Sequence, residues 1–148
     1  MAQGLDGLEV WQRSVEFAVK IHNEVLPRLP KEEKWAMTNQ IRRASQSIPA
    51  NIAEGYGRYY FQEGVRFCYI ARGSLEEVYT YLVLARRLEY LDGKTVEVFL
   101  KDLEVLRKLI NGYVAFLKRN KRGANEPGAD LSIREAPLEY EPDINTRT

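Results

Sequence analysis

The sequence predicts an all-α protein, an antiparallel up-and-down four-helix bundle, and three observations carry that prediction. Apolar residues recur at alternating spacings of three and four from about residue 8 to residue 117, the repeat that lines one face of a helix. The period-two alternation that marks strands does not occur. Turn signals divide the pattern into four runs, and connections this short make successive helices antiparallel neighbours.

The first run reads Leu8, Trp11, Val15, Ala18, His22, Val25 and Leu29, and it ends around Pro27 and Pro30 because proline cannot continue the hydrogen-bond ladder. Val10, Phe17 and Ile21 form a second stripe on the same helix. Run two reads Met37, Ile41, Ala44, Ile48, Asn51 and Gly55, thickened by Ile52, with Gly55 and Gly57 offering a left-handed stop. Pro49 lies inside it and removes the bond to the Ser45 carbonyl, which predicts a kink wrapping the helix around its neighbours. The alternative is a polar notch made by that carbonyl and Ser47.

Run three carries two stripes: Gly64, Cys68, Ala71, Leu75, Val78, Leu82 and Ala85, and beside it Phe67, Ile70, Ser74, Glu77, Tyr81, Leu84, Leu88 and Leu91. So broad an apolar arc must bury more than one flank. After the Asp92-Gly93 turn signal, run four reads Val96, Phe99, Leu103, Leu106, Ile110, Tyr113 and Leu117. The spacing continues through Asn111-Gly112, a helix locally weakened by roughly 1 kcal/mol relative to alanine.

A chain of 148 residues suits one domain of ordinary size. Apolar residues at 45% and charged residues at 29% describe a globular protein, and no apolar stretch approaches the 18 or so residues of a membrane span. The opening MAQGLDGLEVW lacks the basic and apolar regions of a secretory signal, and a single cysteine, Cys68, excludes an internal disulfide; a reducing cytoplasm is expected. Net charge is +1, but it is unevenly distributed. Residues 123–148 carry six carboxylates against Arg134 and Arg147, a net of −4, which leaves +5 on residues 1–122. Periodicity vanishes in the same place, among Pro127, Pro137 and Pro142, so residues 1–122 are predicted to form the bundle and 123–148 an acidic, flexible tail. A surplus of five is compatible with a polyanionic partner but does not by itself argue for one.

Candidates for chemistry are few. His22, the only histidine, falls on the seam of helix one, and Cys68 lies among apolar residues; no metal-ligand spacing, phosphate-cradling glycine loop or nucleophile elbow accompanies them. The expectation is a protein without enzymatic activity, metal or cofactor. Asn51, Glu54, Ser74 and Glu77 interrupt the seams, and buried carboxylates need partners, for which Arg42 and Arg43 are available. A polar network that fixes register is expected there. The competing reading, a paired-carboxylate metal site, lacks the Glu-x-x-His pairs of di-iron bundles.

Antiparallel topology gathers Arg13, Arg58, Arg66, Lys118, Arg119, Lys121 and Arg122 at one pole, interleaved with Tyr56, Tyr59 and Tyr60 that could stack on unpaired bases. The plain alternative is that basic residues favour helix C-termini through the macrodipole. The apolar stripes left over after one bundle core is filled, with Val10, Phe17, Ile21 and Tyr81, predict an oligomer interface.

The stretches Gln40 to Arg58, QIRRASQSIPANIAEGYGR, and Ala71 to Leu91, ARGSLEEVYTYLVLARRLEYL, together with the opening LEVWQRSVEFA, resemble the four-helix bundle protein family, also known as the 23S ribosomal RNA intervening-sequence proteins. The likeness covers about residues 5 to 120. It sets Asn51, Glu54, Gly55, Ser74 and Glu77 at motif positions, and it implies an up-and-down bundle assembled into a homopentameric ring. Distant kin include the accessory variability protein of diversity-generating retroelements, which implies nucleic acid, RNA or DNA, and a reverse transcriptase as partners. Relatives usually open helix three with a small hydroxyl residue where this chain has Tyr59-Tyr60, and the acidic tail lies outside the family pattern. The combined expectation is a cytoplasmic, non-enzymatic, homo-oligomeric scaffold associated with nucleic acid. Its rival is a structural or protein-interaction module that binds no nucleic acid, and salt dependence of binding separates the two.

Overall fold

The structure, a computed structural model, describes residues 4–121; Arg122 and the tail 123–148 lie outside the described residues. Four α-helices make up most of it: α1 (Glu9–Lys20), α2 (Met37–Tyr56), α3 (Phe61–Arg87) and α4 (Gly93–Asn120), with no strand among the described residues. None of these helices is long and apolar enough to cross a membrane.

Contacts between elements run in antiparallel order. Gly55 of α2 backs onto Gly64 of α3 while Ser47, two turns earlier, meets Ser74. Along α3 and α4, Gly64 faces Leu117, Arg72 reaches Asn111 and Glu76 reaches Arg107. Phe17 of α1 meets Phe99 edge-on, with ring centroids 6.3 Å apart, and Arg28 beyond α1 bonds Thr95 near the start of α4. The helices therefore follow one another around the bundle, and α1 closes it against α4.

The core is built from the predicted stripes of α2, α3 and α4. All seven residues of the first α3 stripe are buried, as are Met37, Ile41, Ala44, Ile48 and Ile52 of α2 and Val96, Phe99, Leu103, Leu106 and Ile110 of α4. On α1 the structure corrects the expectation. Val10, Phe17 and Ile21 point into the bundle, Phe17 only 3% exposed and Ile21 fully buried, so they are core residues and unavailable to an oligomer interface. His22, expected on the seam, is exposed. The reason is Ser14, which interrupts this stripe in the sequence yet is buried with its hydroxyl donating to the Trp11 carbonyl at 2.7 Å. A hydroxyl satisfied by its own helix can occupy a core position without an external partner. Tyr81, the fourth expected interface residue, is half-buried against the core.

Helix ends also differ from expectation. α1 is 12 residues long and widens into a π-helical turn, Ile21–Val25, then tightens into a 3-10 turn, Leu26–Arg28, where Pro27 is accommodated in the first turn. Gly57 ends α2 in the right-handed region, φ −73°, not as a left-handed stop; its N–H donates to the Ala53 carbonyl at 3.1 Å. α2 remains helical through Pro49, and α4 through Gly112. Asp92 caps α4 by accepting from the Thr95 N–H at 3.0 Å and from its hydroxyl at 2.5 Å, bonds that hold the Asp92 carboxyl below its ordinary pKa.

Candidate nucleic-acid interface

The ends of α2 and α4 and the start of α3 meet at one pole. Small residues make this meeting close: a Cβ on Gly55 would lie 2.9 Å from Phe67 Cβ and 3.1 Å from the Gly64 carbonyl oxygen, and one on Gly64 would lie 3.2 Å from Leu117 Cδ1. With the backbones this near, the larger side chains that follow are forced outward around a cleft of about 210 Å³ lined by Tyr56, Arg58, Tyr59, Tyr60, Tyr113 and Phe116. Tyr113 and Phe116 stack with an interplanar angle of 17°, and Tyr59 meets Tyr60 edge-on. Asn120, at the last turn of α4, completes the rim.

Cations stand over two further rings, Phe67 and Tyr69. The Arg58 guanidinium lies over Phe67, 5.4 Å from its centroid, and pairs with Glu54 at 2.8 Å. Arg72 and Lys118 both approach Tyr69, at 4.7 and 5.9 Å from the ring centroid, and Arg72 donates to Asn111 Oδ1 at 2.8 Å. Partial burial, and secondarily the like charge of Arg72, hold the Lys118 ammonium below its ordinary pKa. Arg66, Arg119 and Lys121 are exposed. This arrangement offers aromatic faces beside positive charge, the combination on which unpaired bases stack and phosphates are neutralised.

Of the residues predicted for this pole, Arg58, Lys118, Arg119 and Lys121 occupy its helix ends and Arg66 lies in the second turn of α3. Arg122 lies outside the described residues. Arg13 does not belong to it. Arg13 lines a groove between α1 and α4 with Lys20, Asp102, Val105 and Leu106, roughly 18 Å along α4 from Lys118 at 1.5 Å per residue.

The expected polar network divides likewise. Ser47 and Ser74 hydroxyls are 2.8 Å apart across the α2–α3 seam, and the Asn51 amide donates to both the carbonyl and the hydroxyl of Ser47 at 2.8 Å. Glu54, Glu77, Arg42 and Arg43 are exposed and take no part in it, because this seam is too narrow for longer charged side chains. The buried charge lies instead between α3 and α4. Arg107 is 8% exposed and donates to Glu76 and Glu104, both half-exposed, with Tyr79 beside its guanidinium. The only sequence signal for it was its place four residues after Leu103, on the core stripe of α4.

Cys68 is buried, and that burial pushes its thiol up to about 12, an unreactive state. Among the described residues no three histidine, cysteine, aspartate or glutamate side chains converge to hold a metal.

No curated protein matches the chain. A protein of unknown function of the S23 ribosomal protein family from Bacteroides thetaiotaomicron has a similar crystal structure: TM-score 0.65 and 31% sequence identity, over 71% of this chain and 97% of that one. The model of the 23S rRNA-intervening sequence protein family matches residues 6–112, and the chain belongs to that family.

Proposed function

We propose that this protein is a non-enzymatic, homo-oligomeric scaffold of the cytoplasm that associates with single-stranded nucleic acid through the pole formed by α2, α3 and α4. The observation that carries this reading is the aromatic cleft with Arg58 on its rim and Lys118, Arg119 and Lys121 on the adjoining helix end. Its mechanism is electrostatic: cations neutralise phosphates and release counterions, and the rings stack on bases of any sequence. Self-association rests on α3, whose outward side keeps Ile70, Leu84 and Leu88 exposed beside half-buried Tyr81. The pentamer implied by the family likeness would repeat the pole five times and raise avidity without new contacts.

Fluorescence anisotropy of a labelled single-stranded RNA tests the reading. Binding at low salt should weaken linearly on a log–log plot, with a slope of about −0.7 per phosphate neutralised, and Lys118→Ala with Arg119→Ala should flatten that slope by about 0.7 for each cation lost. Absence of binding at low salt, or binding indifferent to salt, overturns it in favour of a protein-interaction module recruiting a partner such as a reverse transcriptase. In light scattering, Leu84→Glu with Leu88→Glu should reduce the assembly to smaller species; a wild-type monomer at micromolar concentration overturns the self-association.

A further inference from the structure

We infer that the cleft at this pole is a docking site for the chain's own acidic segment, residues 123–148, which competes there with polyanions. The competition rests on the nucleic-acid reading above, whereas the docking stands on four separate observations. The first is where the segment begins. α4 ends at Asn120, on the rim of the cleft, and Lys121 turns the chain in the left-handed region at φ 49°, so the segment starts within reach of the site. Its 26 residues span far more than the cleft, at up to about 3.3 Å per extended residue.

Charge is the second. The segment's six carboxylates oppose two arginines, and the pole presents Arg58, Arg66, Arg72, Lys118 and Arg119. Third, the segment has what an aromatic cleft accepts, with Leu131, Ile133, Leu138 and Tyr140 in the same stretch as its acids. The fourth is Gln62. It lies in the first turn of α3 and is 1% exposed, yet neither polar atom of its side-chain amide has a partner among the described residues. Buried amides are paired in nearly all proteins, so the first turn of α3 lacks a donor and an acceptor that the described residues do not supply. A covalent tether makes weak contacts sufficient, since it holds the ligand at an effective concentration on the order of millimolar. The segment also lies beyond residue 112, where the family match ends.

A nitroxide attached to the full chain through Ser132→Cys tests the docking, because Cys68 is buried with its thiol pushed up to about 12 and stays unlabelled. The amide signals of Arg58, Tyr59, Gly64 and Asn120 should broaden while those of Trp35 and Lys94, at the opposite pole, should not. Replacing the six carboxylates by Glu→Gln and Asp→Asn should abolish the broadening and strengthen single-stranded RNA binding at low salt by about tenfold. Broadening absent from the pole overturns the docking, whatever the protein does with RNA. Broadening at the pole that vanishes at dilutions where light scattering shows a monomer assigns the occupant to a second copy and overturns the same-chain site. Broadening at the pole with no RNA bound by either form leaves the docking standing and removes the nucleic-acid role. Equal RNA binding by both forms, with broadening present, overturns the competition.

Discussion

The two flanks of α3 solve the same packing problem in opposite ways. Toward α2 the side chains are small and neutral: Gly55 against Gly64, and Ser47 against Ser74 with Asn51 folded back on its own helix. Toward α4 they are long and charged, with Arg72 on Asn111, Arg107 on Glu76 and Lys118 over Tyr69. A seam of the first kind has no slack, since backbone already touches backbone. A seam of the second kind can adjust, because flexible side chains stand between the helices and their ends reach water. The protein therefore has a rigid hinge of fixed spacing on one side of α3, and on the other an adaptable surface that continues into the basic pole.

The largest effect should come from widening the narrow seam. In Gly55→Leu the new Cβ alone falls within 3.1 Å of the Gly64 carbonyl, a backbone atom that cannot move without shifting α3. Overpacking costs about 1–3 kcal/mol in ordinary cores and exceeds that where backbone must yield, so the variant should lose about 3 kcal/mol or more in urea unfolding. Gly55→Ala should lose less, since the roughly 1 kcal/mol of helix propensity it gains offsets part of the clash. A Gly55→Leu protein as stable as wild type would mean that the seam has slack after all.

Arg107→Ala probes the adaptable side and should cost about 1–3 kcal/mol, the value of hydrogen bonds to charged groups discounted because Glu76 and Glu104 are half-exposed and can rehydrate. Arg107→Met should recover part of that loss by keeping the apolar stem packed. If Met is no better than Ala in thermal unfolding, charge pairing rather than packing holds this flank.

How much of this was legible depends on how many helices a feature needs. The core stripes of α2, α3 and α4 were readable because each repeats within one segment, whereas the inward stripe of α1 was visible but assigned to an interface, because Ser14 breaks it and is satisfied only by a local bond to Trp11. Gly55 was visible as a glycine near a helix end, but its purpose, contact with Gly64, involves a second helix. Arg107 was hidden for the same reason, its partner Glu76 lying 31 residues away. The basic pole was half legible: antiparallel topology gathers the ends of α2 and α4, but Arg13 was misplaced because the start of α1 stops short of the level that Lys118 reaches.

The smallest prediction has the opposite sign and isolates crowding as the cause of the largest. Gly73 in α3 and Gly112 in α4 are helical glycines as Gly55 is, yet a Cβ added at either would meet nothing within 4 Å. Alanine there restricts the unfolded chain and improves helix propensity without a steric charge against it, so Gly73→Ala and Gly112→Ala should each raise stability by about 0.5–1 kcal/mol. The same chemical change thus stabilises at two positions and destabilises at a third, a contrast that propensity alone cannot produce. Gly73 carries more information than Gly112, because it precedes Glu77 by one turn on the outward side of α3, near exposed Ile70. A gain at high dilution that reverses at assembling concentrations would show a second copy packed against Gly73 as tightly as Gly64 packs against Gly55.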